Sequence, residues 1–386
     1  MLNLGLGFGF YNKRGYSWHD YDIFLPGDNG FLYDFSRADT LFQEATGQTA
    51  AGTGQNVGLT LDISKWGGKT LVQVLAAQPE KVVNGGFDTN LNNWSNQDSG
   101  TGVSSWDSGD GGRMALPRVD GSNFARREQI ITTVVGRLYR VEVIVSGASY
   151  SSRIGTSTGA GGQLAVVACS VGTTTFYFTA TSTTTYVSGI GITNGTTPYV
   201  DNVSVKEIPS IPASQATSAA RPTLQSGGLT RYDGVDDNLL TTLNPSAAFT
   251  MAFRGKVTSA NRIIMGARAN SVTHSLMCTS ASGLLGGVVG SQNSVTINGG
   301  PDIRGVIGTN VLTYDGSTVK LYRNGTKVYE GAQVGTPTTT VPVRLGAYND
   351  NGAAAGYADV DIYQALAINR ALTPAEIVKL TNAWSY

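Results

Sequence analysis

The chain has 386 residues, enough for two or three domains with real cores. Its 27 basic and 27 acidic residues cancel, which removes the long-range attraction that nucleic-acid binding needs. No run approaches the ~20 apolar residues of a membrane-spanning helix, and 50 glycines with only 14% charged residues predict an all-β protein of short strands and tight turns.

Residues 1–10 alternate Leu2, Leu4, Leu6, Phe8 and Phe10 with Asn3, Gly5, Gly7 and Gly9, a period of two with almost no side chain on one face. Such a strand is either an edge of the chain's own fold or an extended arm that adds to a neighbouring subunit. The polar, aromatic-rich stretch 13–22 favours the arm. No basic n-region precedes the apolar run and no small-residue cleavage site follows it, so it does not read as a signal peptide.

Residues 31–64 form a compact block in which Tyr33, Asp34, Ser36, Thr40, Leu41, Phe42, Gln43, Gly47, Val57, Gly58, Leu59 and Asp62 are the telling positions. The run resembles a recurrent segment of tailed-phage structural proteins, where it leads directly into a stretch like residues 213–224. Here that continuation is delayed by about 145 residues, so a domain inserted over 71–208 is expected. Its frame, Asn84-Gly-Gly-Phe87 followed by Trp94 at the front and Tyr199-Val-Asp-Asn-Val-Ser-Val205 at the back, resembles galactose-binding-like jelly rolls of the carbohydrate-binding-module type. That family often holds a structural calcium between its opening loop and last strand, which points to Asp201 and Asp88. The residues alone supply few of the six to eight oxygens calcium takes, and a plain solvent-facing Asp201 is the alternative.

Trp94 and Trp106 both sit in Gly/Ser/Asp/Asn-rich runs. An exposed indole can stack on a pyranose, with Asn93, Asp98 and Asp107 placed to bind hydroxyls. Trp94 follows the first strand so closely that a core position competes with that role. Cys169 and Cys278 have no neighbouring His or CxxC support and read as buried free thiols.

From residue 213 onward the signal changes. Tyr232-Asp-Gly-Val-Asp-Asp-Asn-Leu-Leu240, the meander 311–330, Val343-Arg-Leu-Gly-Ala-Tyr348 and Leu372-Thr-Pro-Ala-Glu-Ile377 together resemble a concanavalin A-like, laminin-G-type jelly roll. In the meander, Asn324-Gly325 predicts a two-residue turn that sets Leu321 against Val328 and Tyr322 against Lys327, one face core and one face solvent. Thr373, Pro374 and Glu376 predict a capped C-terminal helix with Ile377, Leu380 and Trp384 on its docking face.

Catalytic groups are sparse. His19 and His274 lie far apart and read as surface or turn residues, and no HExxH, CxxC or GxSxG run is present. Glycoside hydrolysis needs only two carboxylates. The candidates, Asp233, Asp236 and Asp237 in one turn and Asp359 with Asp361 on one strand face, include no Glu and read as structural groups or ligand hydrogen-bonders.

The expectation is therefore an all-β chain with two jelly-roll β-sandwich domains, a short N-terminal extended arm and a short C-terminal helix. Its divisions are 1–30 (arm), 31–70 (phage-type segment), 71–208 (galactose-binding-like insertion) and 209–386 (concanavalin A-like). By resemblance it would be a phage virion structural protein, of head or tail, with no catalytic residue and no cofactor beyond one structural calcium. It would bind other virion proteins through the arm and host glycans through its sandwiches, as a homo-oligomer, a trimer by analogy. A glycan-active hydrolase and a purely architectural virion protein are the alternatives.

Overall fold

The computed structural model describes residues 18–385 apart from 271–272, 291–296 and 333–335. The patterned strand of residues 1–10, read as an arm, lies outside the described residues.

Two β-sandwiches are present. In the first, one sheet runs in the order Thr223–Gln225, Leu229–Asp233, Asp359–Ile368, Phe249–Val257, Gly308–Tyr314, Thr318–Arg323 and Thr326–Ala332. Gly30–Asp34 joins it by pairing with the last five residues of Asp359–Ile368, beyond the point where Leu229–Asp233 stops. The facing sheet contains, in order, Leu41–Phe42, Leu59–Thr60, Ala213–Ser214, Leu239–Thr241, Arg344–Leu345, Ile263–Asn270, Thr273–Thr279, Leu284–Gly290 and Ile297–Asp302. Phe31, Tyr33, Tyr232, Phe249, Phe253, Met265 and Leu312 fill the space between them. The 31–64 block thus has no core of its own, because its strands are shared between the two sheets.

The chain leaves this sandwich after Leu59–Thr60 and re-enters at Ala213–Ser214, which pairs with the strand it left. Asp62 holds the two crossing segments together. Its carboxylate accepts Leu32 N at 2.8 Å, Ser64 N at 2.8 Å and Ile211 N at 3.0 Å, while its own N–H donates to Ser210 Oγ. Burial pushes this carboxyl up to about 6 in spite of those donors.

Residues 95–208 build the second sandwich. Its docked sheet is ordered Gly172–Thr179, Leu138–Ser146, Tyr199–Ile208, Arg113–Ala115, Ser105–Asp107, and its outer sheet Gly161–Cys169, Tyr150–Ser157, Thr184–Gly191, Arg126–Thr132, Ser95–Asn96. Val141, Val143, Ile154, Phe176, Val187 and Val203 lie between them, with the free thiol of Cys169 buried alongside. Alternation sends the other residues of the docked sheet outward, against the first sandwich. Tyr177 stacks tilted on Phe42 at 5.0 Å, and Leu138 and Ile208 share a cluster with Leu59, Leu61, Ile63 and Val74. Gly47 makes the approach feasible: its φ is +67° and a Cβ there would lie 2.4 Å from the Tyr177 ring.

The C-terminal helix, Pro374–Ala383, has the expected capping box, with Thr373 Oγ1 accepting Glu376 N and Glu376 Oε2 accepting Thr373 N at 2.7 Å. Trp384 is 1% exposed and donates from Nε1 to Asp20 Oδ2. Three sequence expectations need correction here. Asn324 and Gly325 do take positive φ and Tyr322 does face Lys327, but a bulge after Leu321 sets that residue against Tyr329 rather than Val328. Nor is Tyr322 part of the solvent face: it is buried in the cluster that the C-terminal helix caps, while Lys327 and Glu330 stay exposed. His274 is likewise no surface residue, being 3% exposed with Nδ1 bonded to the Gly290 carbonyl.

Candidate functional site

Trp106 lies on the edge strand Ser105–Asp107 of the docked sheet, at the opposite margin from the strand that carries Tyr177. It pairs with Met114, whose side chain is fully buried, and is itself 39% exposed. Its Nε1 donates to the Phe87 carbonyl at 2.7 Å. The ring's polar atom is thus satisfied internally, and what it presents to solvent is apolar surface held in a fixed orientation.

Asp107, beside it, is engaged by Arg113. Arg113 Nε donates to Asp107 Oδ1 and Nη1 to Asp110 Oδ2, each at 2.6 Å, and Gly109 N donates to the same Asp107 oxygen. The Arg113 guanidinium also sits 4.0 Å from the Tyr199 ring centroid. Its hydrogen bond holds the Asp107 carboxyl below the usual carboxylate range. Arg113 and Tyr199 were missed from sequence, since neither lies in a tryptophan-bearing loop and only the pairing of the two edge strands brings them to Trp106.

The other candidates separate. Trp94 is 3% exposed, packed at 5.4 Å on Phe87, with Nε1 donating to the Asn84 carbonyl, so it is a core residue and cannot be a sugar platform. Asp98 is a structural staple, accepting Arg126 N through Oδ1 and both Ser104 N and Oγ through Oδ2. Both of its oxygens are thus engaged within the chain. Asn93 is exposed at positive φ, and its carbonyl accepts Gln129 Nε2.

Asp201 is half-buried where the last strand bulges after Val200, and Asp88 is exposed. Among the described residues, neither belongs to a cluster of three protein metal-ligating side chains. The cluster that does exist is Asp233, Asp236 and Asp237, whose carboxylate oxygens lie within 4.8 Å of one another. Asp233 Oδ1 accepts Val235 N and Asp237 Oδ2 accepts Asp233 N, so two of the three shape their own turn. Burial first, then Asp233 and Asp236, push Asp237 up to about 7. Asp359 and Asp361 are neutralised, both pairing with Arg231 and Asp361 also with Lys256 at 3.1 Å.

With the geometry in view, residues 229–378 match the family model of the concanavalin A-like lectin/glucanases superfamily. No match is found among curated proteins. Solved structures similar to part of the chain include the CBM40 module of the Ruminococcus gnavus IT-sialidase bound to α2,3 sialyllactose, at 21% identity over 36% of this chain and 84% of that one, with a TM-score of 0.31. A mutant NanB sialidase from Streptococcus pneumoniae is 18% identical over 38% of this chain and 27% of that one, TM-score 0.31. Trypanosoma rangeli sialidase in complex with the inhibitor DANA is 15% identical over 45% and 29%, TM-score 0.34. No helix of the described residues is long and apolar enough to cross a membrane.

Proposed function

We propose that this chain is a non-catalytic surface protein of a tailed-phage particle that holds host glycans weakly and in many copies. The observation that carries the reading is Trp106: an indole locked by the Phe87 carbonyl, partly exposed, on the sandwich edge farthest from the docking strand. A preoriented apolar ring beside charged hydrogen-bonding groups is what a pyranose requires, and copy number in a particle converts low single-site affinity into avidity. The phage-type segment supports the particle assignment by its sequence resemblance, and its strands complete both sheets of the first sandwich. Attachment through the start of the 1–30 arm and a trimeric state belong to the same reading, although from Asp20 onward that stretch packs on the chain itself, with Ile23 buried and Asp28 paired with Arg370. So does a calcium held by Asp201 and Asp88, whose removal by chelation would lower the melting temperature.

Glycan-array binding of the full chain and of Trp106→Ala tests the proposal. Binding that is lost in the variant, with melting unchanged, is expected. A silent array would leave a purely architectural protein, and binding indifferent to the substitution would overturn Trp106 as the site. The acid trio favours one second reading, because its carboxylate oxygens lie within 4.8 Å of one another and burial raises Asp237 to about 7, the setting in which one carboxyl of a pair serves as a general acid. Release of reducing sugar by the wild type, abolished in Asp237→Asn, would establish that hydrolase instead.

A further inference from the structure

The outer sheet of the second sandwich carries its own arrangement of charge. Its inward residues Ile131, Val187, Ile154 and Val167 belong to the core, so alternation places Arg126, Glu128, Ser188, Arg153 and Tyr186 on the face turned away from it. Register then aligns them. Glu128 is opposite Ser188, Ser188 opposite Arg153, and Arg153 opposite Val166, while Tyr186 lies between Ile130 and Gly155. Arg118 enters from the neighbouring loop, and its guanidinium and that of Arg126 approach the Phe124 ring at 5.8 and 5.0 Å.

What sets these arginines apart is their lack of partners. Among the described residues, none of the three forms an ion pair with a carboxylate, and Arg126 Nε, Arg153 Nε and the Oγ of the fully buried Ser188 have no hydrogen-bond partner. Arg118 is held only by neutral oxygens, Asn194 Oδ1 and the Gly191 carbonyl. The acid on the same face, Glu128, is 3% exposed and accepts the Gly159 N–H at 2.7 Å. Burial, followed by the charges of Arg126 and Arg118, lowers the proton affinity of Arg153. Crowding desolvated cations opposes folding, so stability does not explain why they are together.

We propose that this face is a second binding site, selective for sugars that carry a carboxylate, such as uronic or nonulosonic acids. A carboxylate received by Arg126 and Arg153 finds the fork geometry that guanidinium offers bidentately. The sugar body meets Tyr186 and the apolar side chains of Ile130 and Val166, which are 59% and 46% exposed. The site is physically separate from Trp106, which lies on the other sheet, so either can fail without the other.

The test is calorimetric titration of the full chain with the methyl glycosides of glucuronate, galacturonate and N-acetylneuraminate. Their carboxyl methyl esters, methyl galactoside, galactose 6-sulfate and inorganic phosphate serve as comparisons. At least one acidic sugar should bind, its ester at least tenfold more weakly. Arg153→Met and Arg126→Met should each reduce affinity tenfold or more without lowering the melting temperature, Arg153→Lys should fall between, and Trp106→Ala should leave acidic-sugar binding intact. Equal binding of ester and acid, preference for sulfate or phosphate, no acidic sugar bound, or arginine variants that melt below wild type would each overturn the proposal. The ester comparison needs no variant and so stands even if a substitution disturbs folding.

Discussion

The two sheets of the second sandwich face opposite tasks and handle charge in opposite ways. On the docked sheet, outward charges are matched: Arg140 pairs with Glu142 at 2.7 Å, and Lys206 Nζ donates to the Leu75 carbonyl. On the outer sheet neither Arg126 nor Arg153 pairs with a carboxylate among the described residues, and the Nε of each lacks a hydrogen-bond partner. A face that must bury itself against its own chain neutralises its charges, because unpaired buried charge is expensive. A face that leaves them unpaired is organised for something outside the chain.

The sharpest way to break this contrast is to attack the docking itself. Tyr177 is 3% exposed against Phe42, and Tyr177→Ala should remove about 3 kcal/mol. The expected signature is a thermal transition split in two, as the sandwiches lose their shared cluster. A single, unshifted transition would mean the docked face contributes nothing to cohesion. Gly47→Ala, which drives a Cβ into the same ring, should act in the same direction.

The next effect concerns the junction where the chain crosses between sandwiches. Folding raises the Asp62 carboxyl from 3.8 to about 6. The folded state therefore binds this proton more tightly than the unfolded chain does, so the group's contribution is complete below pH 4 and lost as pH rises through 6. The shift corresponds to on the order of 3 kcal/mol. Denaturant titrations between pH 4 and 7 should show wild-type stability declining relative to Asp62→Asn over that window. Parallel curves would show that Asp62 titrates normally.

How much of this was legible in the chain depends on the range of the interaction. The capping box at Thr373 and Glu376 was readable because its partners are three residues apart. The Asn324-Gly325 turn was readable too, but the burial of Tyr322 was not, since the helix that covers it begins some fifty residues later. Asp62 stood out in a sequence motif, yet its partners Leu32, Ser210 and Ile211 are gathered only when the strands cross. Trp106 and Asp107 were found together because they are adjacent. Arg118, Arg126 and Arg153 were missed because each, taken singly, looks like a solvated strand or loop charge, and only register brings Arg153 opposite Ser188 and Ser188 opposite Glu128.

Smaller effects probe the matched charges. Glu142→Gln on the docked sheet breaks a partly exposed pair with Arg140, and about 0.5 kcal/mol should be lost, shrinking further in high salt. The outer sheet predicts a response of opposite sign. Arg153 has no partner to lose and two like charges to escape, so Arg153→Met should leave chemical-denaturation stability unchanged or raise it by about 0.5 kcal/mol, with added salt narrowing the gap between variant and wild type. If Arg153→Met instead destabilised the chain as Glu142→Gln does, the two faces would obey one rule and the contrast between them would disappear. A neutral or stabilising outcome would mean the fold tolerates this arginine without needing it, which is the condition under which a residue is free to serve a ligand.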